Sequence, residues 1–78
     1  MSSKALLTTW LLNKIQERER KLGTRITVTD FAKFVGVSQA TVSAWLNDTR
    51  TPSYEMALQL AERLGDHGIM RLLGYADP

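Results

Sequence analysis

Two helix-start signals stand eleven residues apart in this chain with a glycine between them, and no other feature limits the fold as tightly. The first is "ITVTDF". Thr27 is placed to cap a helix N-terminus, Asp30 three residues on completes a capping box, and Ile26 and Phe31 stand where a hydrophobic staple closes over the cap. The second is "VSQATV", with Ser38 as cap and Val37 and Val42 as staple. A helix begun at Thr27 must stop by Gly36, after two turns, and a third helix starts one short turn later. Apolar packing has to hold elements this short, because the chain has no cysteine for disulfides or thiolate zinc sites.

The rest of the chain reads as helix too. Leu7, Leu11, Ile15 and Leu22 share one stripe of a helix expected from Ser3 to a stop at Gly23, and its last turns, "QERERK", read as a solvated face with a Glu17–Lys21 pair. After "NDTRTP", Ser53, or Thr51 with Pro52 at the first helical position, opens a fourth helix with the stripe Ala57, Leu60, Ala61 and Leu64, closed by Gly65. Asp66 is expected to cap a fifth, with Ile69, Leu72 and Leu73 inward and Gly74 closing it. Alternation of strand type is absent, so the prediction is an all-α, five-helix single domain over residues 1–78.

Several function classes fit poorly. A chain of 78 residues has room for one core and no deep pocket. His67 is the only histidine, and neither a second titratable partner, a metal-ligand spacing nor a phosphate-cradling glycine loop accompanies it. No catalytic residue, metal or cofactor is therefore expected. The N-terminal "MSSKALLTTWLLNK" has a charge inside it and no cleavage site after an apolar core, so a soluble, cytoplasmic protein is expected, with no membrane partner. Net charge is only +2, but residues 1–50 carry eight Lys/Arg against four Asp/Glu, and residues 51–78 carry two against four. A basic front half suits a polyanionic partner. Solvated helices scatter charge in the same way, so this asymmetry has weight only beside a motif.

That motif is "VGVSQATVSAWLNDTRTPS", residues 35–53. On a helical wheel Gln39, Ala40, Ser43, Ala44 and Asn47 fall in one arc, opposite Val42, Trp45 and Leu46, with Thr41 at the edge. The inner side is heavy and the outer side is small and hydrogen-bonding. Such a helix suits a groove about 12 Å wide whose floor presents donors, acceptors and methyl groups.

The segment "TVTDFAKFVGVSQATVSAWLNDTRTPS" resembles the helix-turn-helix of the lambda repressor and Cro-like (XRE-type) DNA-binding proteins. The likeness lies in Thr27, Phe31-Ala32, Gly36, "GVSQATVS", Trp45 and the basic turn to Pro52-Ser53, and it is strong over residues 26–65. It implies that residues 38–47 form a recognition helix in the major groove, within a helix-turn-helix of about residues 27–47. Carried over position by position, Gln39, Ala40, Ser43 and Ala44 become the base-facing set, and Thr29, Thr41, Asn47, Thr49 and Arg50 the phosphate contacts. Three positions depart from the pattern. Val28 stands where a glutamine often clamps a phosphate, and Ala44 stands where a long polar side chain is frequent. Asp48 replaces a glycine that often ends the recognition helix, so Asn47 or Asp48 must take the left-handed turn.

The resemblance implies a small transcriptional regulator, a repressor foremost, acting in the cytoplasm at the nucleoid in a prokaryotic or phage setting. Antitoxin-like and excision accessory roles, or a helical protein-interaction module, are the alternatives. Double-stranded DNA is the expected partner, in the form of a palindromic operator bound by a homodimer, without a small-molecule ligand. Leu6, Trp10, Met70 and Tyr75 make a candidate dimer patch, since the first two project away from the helix-one stripe and the others lie at the edge of the last. Alternatively, Leu6 and Trp10 pack against the C-terminal helix of their own chain.

Overall fold

Three of the short helices start at a side chain that satisfies backbone N–H groups the helix itself cannot. A computed structural model of the chain describes residues 3–76. Among these are five helices and no strand: α1 (Ser3–Leu22), α2 (Val28–Val35), α3 (Gln39–Leu46), α4 (Tyr54–Leu64) and α5 (Gly68–Leu72). The all-α, five-helix expectation is met; residues 1, 2, 77 and 78 of the expected domain lie outside the described residues. Among the described residues no helix is long and apolar enough to cross a membrane.

The caps are those the sequence marks. Thr27 Oγ1 accepts from the Asp30 N–H at 3.1 Å while Asp30 Oδ2 accepts from the Thr27 N–H at 3.1 Å. Ser38 Oγ takes the Thr41 N–H at 3.1 Å, and Ser53 Oγ the Met56 N–H at 3.3 Å. Gly36, at φ +81°, ends α2 in the left-handed region that a residue with a Cβ enters only with strain. Its N–H and that of Val37 both bond back to the Ala32 carbonyl, at 2.9 and 3.0 Å, which turns the chain tightly into α3.

One core joins all five helices. Leu7 and Leu11 enter it from α1, Phe31, Ala32 and Val35 from α2, Val42 and Trp45 from α3, Ala57, Leu60 and Ala61 from α4, and Ile69 and Met70 from α5. Ala32, Ala57 and Ala61, fully buried, are the small members of this core. Each large side chain withdrawn from water contributes about 1.5–3 kcal/mol before ordering costs.

Several expectations need correction. Leu22 is 52% exposed and does not continue the α1 stripe. Ile15 is already only half-buried, and at the next level α1 meets α2 through Arg18, whose guanidinium lies 3.5 Å from the Phe34 ring centroid. Glu17 pairs with Lys14 at 3.1 Å, one turn back, rather than with Lys21. The "QERERK" face is also not merely solvated, because Glu19 Oε2 accepts the Ile26 N–H at 3.0 Å and ties down the chain entering α2. The fifth helix begins at Gly68, with His67 in the cap position and no side-chain cap bond. Asp66 instead accepts the Gly68 N–H at 2.8 Å and pairs with Lys14 on α1. Met70 is fully buried, so it is core and drops out of the candidate dimer patch, whereas Leu72 and Leu73 are half-buried and pack against the core as expected.

Candidate nucleic-acid interface

α3 is divided lengthwise as its wheel predicts. Val42 is fully buried and Trp45 is 2% exposed, whereas Gln39, Ala40 and Asn47 are exposed and Thr41, Ser43 and Ala44 lie between. The buried indole packs in the core with Phe31 and Leu60, so it anchors the helix from behind. The outward side keeps a low profile, with two alanines beside two amides and one hydroxyl.

The polar groups on that side are already organised. Gln39 Nε2 donates to Ser43 Oγ at 2.9 Å, one helical turn on. The Ser38 and Thr41 hydroxyls lie 2.7 Å apart, and either can donate to the other. Because Ser38 takes the N–H of Thr41, the N–H groups of Gln39 and Ala40 are left at the positive end of α3. In α2 the capping box uses the N–H groups of Thr27 and Asp30, which leaves those of Val28 and Thr29. The backbone N–H of Thr27 and then its side chain hold the Asp30 carboxyl below its ordinary value, keeping a negative charge beside the exposed Thr29.

The loop after α3 turns on Asp48, the residue with φ +67°, while Asn47 at φ −87° stays right-handed. Of the two residues that can turn this corner, Asp48 is the one that does. The Ala44 carbonyl accepts from the Thr49 N–H at 2.9 Å, from the Thr49 hydroxyl at 3.1 Å and from the Arg50 N–H at 3.3 Å. The Thr49 hydroxyl proton therefore closes the helix end. Arg50 is exposed, and no acid among the described residues pairs with it.

Two braces behind this surface escape sequence reasoning. Gln59 of α4 donates through Nε2 to the Val35 carbonyl at 2.6 Å and to the Gly36 carbonyl at 3.4 Å, pinning the turn between α2 and α3. A polar residue on the flank of an apolar stripe reads as solvent-facing, so only its place beside Leu60 pointed inward. Tyr75 donates from its hydroxyl to the Pro52 carbonyl at 2.9 Å, and its ring meets Tyr54 edge to face, with centroids 5.6 Å apart. The chain after α5 thus supports the loop between α3 and α4. Of the remaining candidate patch, Leu6 is 43% exposed, and Trp10 is half-buried with Lys14 Nζ 5.5 Å from its ring centroid.

Two short helices joined through a left-handed glycine, the second small on its outer face and anchored by a tryptophan, define a helix-turn-helix of the kind that enters DNA grooves. The helix-turn-helix family matches residues 15–65, more than half of the chain, and the chain belongs to this family of lambda repressor-like (XRE-type) DNA-binding regulatory domains. A comparison with curated proteins found no match, and a comparison with solved structures found none either.

Proposed function

We propose that this chain is a transcriptional repressor, folded as a single helix-turn-helix domain over its whole length, that binds double-stranded DNA sequence-specifically with α3 in the major groove. The observation that carries the reading is the two-sided α3: a buried Val42 and Trp45 behind, and Gln39, Ala40, Ser43 and Ala44 in front with nothing bulky among them. An α-helix is about 10–12 Å across with its side chains, which fits the width of that groove. The Gln39 amide faces an adenine, the two alanine methyls meet thymine methyls, and Ser43 stands among them.

Around this set, Thr29, Thr41, Asn47 and Arg50 contact the phosphate backbone, with Arg50 the one full charge. Thr49 contributes by shaping the loop, since its hydroxyl proton is held by the Ala44 carbonyl. One copy reads few bases. A good bidentate contact discriminates by about 1–3 kcal/mol, against roughly 4–10 kcal/mol separating specific from non-specific binding. A homodimer on a palindrome doubles the reading, with half-sites about 34 Å apart. Of the candidate patch, Leu6 is the exposed member, while Trp10 and Tyr75 are half-buried and pack against the core of their own chain. Repression is the mode that needs only occupancy of the site.

Binding to duplex DNA at rising salt tests the reading. Between about 50 and 200 mM salt the affinity falls steeply, in proportion to the number of phosphates contacted. An affinity that barely moves over that range overturns DNA binding and points to an apolar protein partner instead.

A further inference from the structure

Gln39 and Ser43 stand one turn apart on the outer flank of α3, with Gln39 Nε2 donating to Ser43 Oγ at 2.9 Å. Glutamine has a long side chain that loses much rotamer freedom when fixed, so an unsupported one is ordered only at the moment it meets a base. On this face nothing else can hold it. Ala40 and Ala44 offer no polar atom, Val42 is buried, and the Ser38 hydroxyl already takes the Thr41 N–H at 3.1 Å and touches the Thr41 hydroxyl at 2.7 Å. An amide has two N–H donors and one carbonyl acceptor. With one N–H given to Ser43, the other N–H and Oε1 remain, and these are the donor and acceptor that the N7 and N6 edge of an adenine requires.

Building on the base-reading role proposed above, we infer that Ser43 is a positioning residue for Gln39: its hydroxyl fixes the amide in advance, and the two side chains read one adenine-bearing base pair as a unit. The loss from removing either is then felt at the same base pair, and the two losses do not add.

The test uses the full chain on the duplex it selects from random DNA, with each base pair of the half-site replaced in turn. Wild type prefers adenine at one position by about tenfold or more. Gln39→Ala abolishes that preference, Ser43→Ala abolishes most of it at the same position, and the double variant loses no more than Gln39→Ala. Ser43→Thr, which keeps the hydroxyl, retains most of it. The helical circular dichroism and the thermal unfolding midpoint stay unchanged in all four, which separates positioning from damage to the fold. Full preference in Ser43→Ala, a loss at a different base pair, or losses that add in the double variant overturns the inference. A wild type with no preference anywhere, or a Gln39→Ala variant with an unchanged profile, overturns the base-reading itself and the inference with it.

Discussion

Gln39 presents a donor and an acceptor on one amide, whereas Arg50 presents charge and donors only, and the two side chains fail differently when removed. Gln39→Ala relaxes preference at one base pair per half-site and leaves non-specific binding intact. Arg50→Ala weakens binding to all sequences about equally and lowers the slope of log affinity against log salt by about one. Binding titrations on matched and mismatched duplexes at several salt concentrations separate these outcomes. Asp48 carries a backbone prediction. Its φ of +67° is a conformation that glycine adopts freely, so Asp48→Gly raises stability by about 1 kcal/mol in urea unfolding. Asn47→Gly, at φ −87°, brings no such gain. The outward residues of α3 were legible because their period is helical, and so was the need for a left-handed residue at Asn47 or Asp48. The bonds among those residues were not legible, because the Gln39–Ser43 pair and the Thr49 hydroxyl on Ala44 depend on rotamers that no spacing fixes.

Short elements were read well where a cap announced them. Thr27 with Asp30, Ser38, Ser53 and the stop at Gly36 all rest on local hydrogen bonds or local φ, and local signals survive folding unchanged. Longer-range outcomes were harder to read. Leu22 lies on the right stripe of α1 but has no partner helix at its level, so it stays 52% exposed. The five residues of α5 are too few for periodicity to fix its inner face, and Met70 went in where an edge position was expected. Gln59 was missed because its partners are carbonyls on another helix. The contrast between two α3 and α2 substitutions follows from this packing. Trp45→Ala removes a buried aromatic and costs about 3–5 kcal/mol, enough to unfold so small a domain, so its loss of DNA binding carries no information on contacts. Thr27→Ala removes a cap, costs about 1 kcal/mol, and leaves a folded protein with unchanged base preference. Thermal unfolding beside sequence selection distinguishes the two.

At the scale of the molecule, an ion pair between Lys14 of α1 and Asp66, in the turn before α5, adds to the core packing that joins these two helices. Its bond to Lys14, and then the Gly68 N–H, hold the Asp66 carboxyl below its ordinary value of 3.8. Burial acts to lower the Lys14 ammonium, but its bonds to Asp66 and Glu17 outweigh this and raise it above 10.5. The Asp66 contribution is therefore present above about pH 4 and is lost as pH falls through the lower folded value; the Lys14 contribution is present below about pH 10 and is lost as pH rises through the higher one. Wild type is accordingly more stable than Asp66→Asn at neutral pH, and the gap narrows from about pH 4 downward in thermal unfolding. A gap that is constant from neutral pH to about pH 2 contradicts this assignment.

The molecule's longest dimension, 33 Å, is close to the roughly 34 Å that separates half-sites one helical turn apart, so two copies fit on adjacent half-sites of one duplex face. The proposed pairing on DNA leaves its mark on the DNA sequence itself. Selection of bound sites from random duplex DNA by the purified protein measures this directly. Enrichment of a two-fold symmetric site is expected, with an adenine at a fixed place in each half and half-site centres about ten base pairs apart. Recovery of a pool with no enriched sequence, under salt at which the protein binds DNA, contradicts sequence-specific reading by α3.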